Sequence, residues 1–256
     1  MASYLYCVLQ PARPEAVPPA LQGIGATTVR VLSSPALDPL EAWVGSVSDH
    51  ELRAAGEARA AQALLHNEVV NAALATGRTP LPARFGVYFA DDAACANALV
   101  AHREELLQAL NRVAGTVECS VLIVPREASP QKPRRPSRSE AGAGRRYLEA
   151  LREHADAKER RRTLVSAEAD RVSEAVGQLV RAEGRSTDSR GILSLVHLVP
   201  RNALAEYIAV ISLAKADAPA RRILGAVRAP YSFAVWNWTD TGHDSSSPSD
   251  DDRARR

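Results

Sequence analysis

Lysine is almost missing from this 256-residue chain: Lys132, Lys158 and Lys215 are the only three among 32 basic residues. Arginine supplies the rest, spread along the whole length, which reads as genomic composition rather than a dedicated surface. The net charge of +2 is too balanced for the whole protein to bind nucleic acid. Cysteine is nearly as scarce. Cys7, Cys95 and Cys119 are odd in number and far apart. That spacing offers neither a disulfide framework nor a zinc site, so free buried thiols are expected. Aromatic residues make up 5% of the chain, so the core must be mostly aliphatic. No run of about 18 apolar residues exists to span a membrane. No basic stretch followed by an apolar run opens the chain, so no signal peptide is expected.

Catalytic signatures are lacking too. There is no G-x-S-x-G, no H-E-x-x-H and no D-x-D-x-D-G. Gly142-Ala143-Gly144 lacks the Gly-Lys-Ser/Thr of a phosphate loop and a preceding strand. Asp250-Asp251-Asp252 sits in a Ser/Asp-rich tail and reads as solvated charge. These absences argue against an enzyme, a metal and a cofactor.

What is present is 46% hydrophobic residues, enough for a substantial core. The organising stretch runs from Leu64 to Phe89. Its first part carries Leu65, Val69, Val70, Ala73 and Leu74 at helical spacing. Gly77 suits the end of that helix. Pro80 and Pro82 make the next segment extended, and Arg84 to Phe89 reads as a strand. Strands are also expected at Ser3–Leu9, Thr27–Leu32, Leu40–Val47, Thr116–Val124, Gly191–Val199 and Ala220–Val227. Single helices are expected over Ser48–Thr76, Asp91–Val113, Ala143–Ala182 and Pro200–Ala216, with a turn at Gly184–Asp188. The charged stretch Arg152–Arg162 predicts a helix segment that projects past the core or packs there through alanines alone.

The expected class is α+β with two domains. Residues 1–114 form an α/β domain, and residues 115–238 a modified ferredoxin-like domain with a long helix. The proline-, serine- and arginine-rich segment 125–144 should be a mobile basic loop, and 239–256 a disordered tail. From Arg126 to Arg146, seven basic residues against two glutamates leave a net +5. A nucleic-acid-binding regulator using this loop is therefore an alternative function, although the strands lack the aromatics that stack bases.

His66 lacks histidine or carboxylate partners at useful spacing and His197 alternates within an apolar strand; both read as structural, bonded to neighbouring backbone. Arg84 suits a carboxylate or phosphate, or an internal pair with Glu68 or Glu118; the internal pair is favoured.

Several motifs recur in one order: Tyr4-Leu5-Tyr6, Gly23-Ile24-Gly25, His66-Asn67, Leu81-Pro82-Ala83-Arg84-Phe85-Gly86, Gly115-Thr116-Val117-Glu118, Gly144-Arg145-Arg146-Tyr147-Leu148, Leu198-Val199-Pro200 and Pro230-Tyr231-Ser232-Phe233. Together, over about residues 3–233, they resemble the gas vesicle protein family GvpF/GvpL. One departure is Val227-Arg228-Ala229 where the family has Gly-Pro-Trp. The resemblance implies a non-enzymatic accessory or minor structural protein of gas vesicle assembly. It implies cytoplasmic location in association with vesicles, and binding to the hydrophobic shell protein GvpA and other vesicle proteins. No membrane or nucleic-acid partner is implied. Arg84, Phe85, Tyr88, Tyr231, Phe233 and Trp236 are the candidate partner-binding residues; for Phe85, Tyr88, Tyr231 and Trp236 a place in the core is the slightly favoured alternative. His66, Pro82, Gly86 and Glu118 are the candidate structural motif residues.

Overall fold

The computed structural model describes residues 1–10, 20–126, 143–213 and 220–234. The basic segment 127–142, the tail 239–256 and Trp236 lie outside the described residues. The chain divides into two compact units. One is Met1–Ala114 together with the chain from Phe233; the other is Gly115–Ser232.

In the first unit, strand β1 (Ala2–Leu9) is buried along nearly its whole length. It pairs antiparallel with β3 (Glu41–Val47) on one side, and β2 (Arg30–Leu32) extends the sheet beyond β3. On its other side β1 pairs with two very short strands, β4 (Leu81–Pro82) and β5 (Tyr88–Phe89). Helices α1 (Asp49–Leu52), α2 (Gly56–Ala75), α3 (Asp92–Ala101) and α4 (Arg103–Val113) complete the unit. Leu5, Val8, Ala42 and Val44 pack with Leu81, Phe89, Cys95, Leu99, Leu106 and Leu110 in an aliphatic core. All three cysteines are free and buried.

Three expected elements of this unit are cut by the structure. The helix over Ser48–Thr76 breaks between Leu52 and Gly56. Ser48 and Glu51 form a capping box on α1, and Gly56 starts α2 with a positive φ that only glycine adopts freely. The helix over Asp91–Val113 breaks at His102. Leu99 and Leu106 are seven residues apart and stay in phase across the break, so the apolar pattern hides it. The strand over Arg84–Phe89 is a turn followed by two strand residues. Gly86 turns the chain at φ +94. The ladder of β1 is still met on either side, through Ala83 N–H to Tyr6 O and Leu5 N–H to Val87 O.

The second unit follows the order β6 (Thr116–Pro125), α5 (Ala143–Val176), β7 (Ala182–Thr187), β8 (Leu193–Pro200), α6 (Leu204–Ser212), β9 (Ala220–Leu224). Its sheet runs β7-β8-β6-β9, antiparallel throughout. Val117, Cys119, Val121 and Ile123 alternate along β6 onto one buried face. Val165, Ala169, Val172 and Val176 of α5 and Tyr207 and Ile211 of α6 are buried apolar helical residues of this unit, and Glu168 of α5 is buried with them, bonded to Arg222. Arg161, in the charged stretch of α5, is also buried, so alanines alone do not carry that stretch. The helix expected from Pro200 becomes a short 3-10 turn at Arg201–Ala203 before α6.

The turn expected at Gly184–Asp188 is largely strand β7. Gly184 is there for close cross-strand packing: a Cβ at this position would lie 2.9 Å from Val196 Cγ2. The real turn follows at Asp188–Gly191. The Asp188 carboxylate accepts from the backbone N–H of Arg190 and Ile192, each at 2.9 Å.

Candidate functional site

The candidate residues fall into two groups, one in each unit, apart from Phe233, which counts with the first unit. The first group surrounds the turn after β4. Gly86 N–H donates to Tyr4 Oη at 3.0 Å. Tyr4 Oη lies 3.1 Å from His66 Nδ1, and His66 Nε2 lies 3.2 Å from the carbonyl oxygen of Ala83. A carbonyl only accepts, so Nε2 carries the proton and Nδ1 accepts from the Tyr4 hydroxyl. An unbroken line of three hydrogen bonds thus runs from Gly86, through β1 and α2, to Ala83. It grips the turn just before Arg84 and just after Phe85. Burial holds the His66 pKa down to about 4, and the hydrogen bond to the Ala83 carbonyl opposes that shift only in part.

The neighbouring Tyr6 performs a similar task. Its hydroxyl accepts from Ile24 N–H at 2.8 Å. A Cβ on Gly23 would sit 2.2 Å from the Tyr6 hydroxyl, so that glycine is required by close approach. Burial pushes the Tyr6 phenol up to about 12. The ring of Tyr6 stands 5.6 Å from that of His66.

Phe85 is half-buried. Its ring lies 5.9 Å from His66, edge to face, and 6.5 Å from Tyr4. The guanidinium of Arg59 sits over the Phe85 ring, 5.1 Å from its centroid. Arg84 is exposed. The expected pair of Arg84 with Glu68 or Glu118 does not form, and Arg84 has no ion-pair partner among the described residues. Glu118 belongs to the other unit's network, described below. Pro82 is buried opposite Cys7 of β1. Tyr88 is half-buried opposite Tyr4 and lines a shallow polar cavity of about 390 Å³ with Met1, Asp49, Leu52 and Arg53.

The second group centres on Glu118 of β6, which is fully buried. Its carboxylate accepts from Arg228 Nε at 2.8 Å, from Ser232 N–H at 2.6 Å and from Ser232 Oγ at 3.1 Å. Backbone bonds between Glu118 and Arg228 run in both directions. Glu118 therefore clamps the segment that carries Tyr231, which is half-buried. Phe233 is half-buried as well. Elsewhere in this unit His197 bridges Tyr207 Oη at 2.7 Å and Glu183 Oε2 at 3.0 Å. Its partners are thus side chains rather than neighbouring backbone. Burial lowers the His197 pKa, partly opposed by Glu183.

Sequence reasoning missed Arg59, Arg228 and Ser232 as members of these networks. Only Arg59 left a signal, standing two helical turns before His66 and so on the same face of α2. Among the described residues, no group of three or more His, Cys, Asp or Glu side chains could hold a metal ion. No helix among them is long and apolar enough to cross a membrane.

The fold is similar to two solved structures. The gas vesicle protein GvpF from Anabaena sp. PCC7120 matches with a TM-score of 0.68 at 19% identity, over 92% of this chain and 96% of that one. GvpF from Microcystis aeruginosa matches with a TM-score of 0.64 at 16% identity, over 92% and 99%. At these identities the likeness speaks to the fold. No curated protein sequence matches. The family model described as gas vesicle synthesis protein GvpL/GvpF matches residues 2–235. On that match, the chain belongs to the GvpL/GvpF family of gas vesicle synthesis proteins.

Proposed function

We propose that this chain is a non-enzymatic accessory or minor structural protein of gas vesicle assembly, and that it binds the hydrophobic shell protein GvpA and other vesicle proteins. The family match across residues 2–235 carries the reading, because membership supports a role in gas vesicle formation. The second unit fits a modified ferredoxin-like layer, supported by its β-α-β-β-α-β order and its β7-β8-β6-β9 sheet. Neither unit needs a cofactor in this reading.

Physical chemistry favours a preorganised contact. An apolar shell subunit needs a rigid apolar anchor before it assembles, and a half-buried aromatic on a fixed turn supplies one with little ordering cost. Phe85, with Tyr88 beside it, is the candidate in the first unit, and Tyr231 in the second. Phe233 and Trp236 remain candidates that follow Tyr231 in sequence.

The test is a pull-down of purified GvpA by the full chain at low and high salt. The expected result is retention that survives high salt and falls on Phe85→Ala or Tyr231→Ala. Recovery of nucleic acid instead, lost at high salt, with no vesicle protein bound, overturns the reading.

A further inference from the structure

We propose that Arg84 and Arg59 flank Phe85 as a two-pronged carboxylate receptor, and that this face docks a partner segment carrying an acidic residue beside an aliphatic one. The inference rests on the shell-binding reading and names the chemistry of the bound segment.

Three observations carry it. First, the turn is held from both ends. The Ala83 carbonyl before it and the Gly86 N–H after it are both tied to the buried Tyr4–His66 pair. Such a clamp fixes the backbone that carries Arg84 and Phe85, and preorganisation of this kind lowers the ordering cost of binding.

Second, neither arginine has a carboxylate partner among the described residues. Arg59 lies on the Phe85 ring, and Arg84 is exposed with no ion pair. Glu57 and Glu68 stand exposed on the same helix as Arg59 and pair with neither cation. Some surface arginines of this protein are paired, such as Arg30 with Asp92 and Arg185 with Asp170, while Arg53, Arg112, Arg160 and Arg162 have no ion pair among the described residues either; what sets Arg59 and Arg84 apart is the half-buried ring of Phe85 beside them. The two around Phe85 thus present an uncompensated positive pair.

Third, the chemistry at the turn is mixed. Phe85 is half-buried, so part of an aromatic ring stays open beside the two guanidiniums. A guanidinium stacked on a ring keeps its in-plane N–H groups free to grip a carboxylate. The open ring accepts an aliphatic side chain from the same segment. Charge complementarity therefore selects an acidic, apolar segment over a basic or a purely apolar one.

The experiment measures affinity of purified GvpA for the full chain and for Arg84→Glu, Arg59→Glu and the double variant. Both side chains are exposed, so melting temperatures should stay within about 2 °C of wild type. The expected result is a loss of about tenfold or more for the double variant and a smaller loss for each single one. Arg84→Lys should retain part of the binding, because it keeps the charge and loses the fork. GvpA with its carboxylates capped as neutral amides should bind wild type as weakly as unmodified GvpA binds the double variant. If GvpA binds wild type and the double variant equally, this receptor is overturned and shell binding stands. If GvpA does not bind wild type at all, the shell-binding reading fails first and takes this inference with it.

Discussion

Two buried histidines, one in each unit, are each bonded to a tyrosine hydroxyl, yet they perform different tasks. His66 reaches from α2 to Tyr4 and to a backbone carbonyl. His197 reaches from β8 to Tyr207 on α6 and to the carboxylate of Glu183. The first holds a turn that carries exposed residues. The second staples a helix to a sheet, and Tyr207 and His197 are both fully buried. The same pair of side chains thus shapes a surface in one unit and closes a core in the other. The backbone partner of His66 is what makes the difference, because it fixes the path of the chain rather than the docking of a helix.

The largest expected effect breaks this comparison if it is wrong. His66→Ala leaves the Tyr4 hydroxyl and the Ala83 carbonyl short of a buried partner and opens a cavity. The cost should be about 3–4 kcal/mol, read from urea denaturation. His197→Ala should cost about 2–3 kcal/mol, since Glu183 keeps its pair with Arg185. Hydrogen exchange then separates the roles. His66→Ala should raise exchange of the Gly86 and Val87 amides, and GvpA binding should fall with it. His197→Ala should loosen α6 and leave both unchanged. Equal effects on the turn from both variants would dissolve the distinction.

The second effect is pH dependence. His66 has its pKa lowered to about 4 in the folded chain, against 6.5 when unfolded. The folded state disfavours the charged ring, so this contribution is fully present above pH 6.5. It is lost as pH falls towards 4, and amounts to about 3 kcal/mol. His197 shifts in the same direction, but Glu183 stabilises its charged form in part, so its loss on acidification should be smaller. The urea midpoint followed from pH 7 to 4 should drop less steeply in His66→Gln than in wild type. The slope should change less in His197→Gln. The reverse order would mean that Glu183 does not offset burial.

Much of this architecture was legible in the sequence, and the failures have physical causes. Strand Thr116–Pro125 could be read because its burial alternates from Cys119 onward, as one face of a sheet needs every second residue apolar. The Tyr4, His66 and Gly86 motifs were visible as separate words. Their hydrogen-bond line was not, since it joins positions up to 82 residues apart. Gly184 was misread because a glycine that admits a neighbouring side chain looks the same in sequence as one that turns the chain. Arg84 was assigned an internal partner because a lone cation in an apolar run usually has one. The carboxylate of Glu118, one of the two proposed, is instead taken by Arg228 and Ser232.

Gly184 offers a third, smaller test, confined to the unit where the histidine closes a core. Gly184→Ala should cost about 1–2 kcal/mol, because the new methyl group meets Val196 at 2.9 Å. Combining it with Val196→Ala should recover most of that loss. A residue needed only for a flexible turn would show no such rescue.

The smallest expected effect sharpens the comparison most, because it sets an arginine of one unit against an arginine of the other. Arg228 pairs with a fully buried glutamate. Arg228→Ala should therefore destabilise the second unit by about 1–2 kcal/mol, reduced by the partial exposure of Arg228. Arg84 is exposed and has no ion pair, so Arg84→Ala should change stability by no more than about 0.5 kcal/mol. Thermal melts of the two variants side by side decide the matter. If Arg84→Ala costs as much as Arg228→Ala, the turn needs its arginine to fold, and the receptor assigned to it loses its basis. If it costs nothing while GvpA binding weakens, the first unit holds its turn firmly for the sake of the side chains it displays.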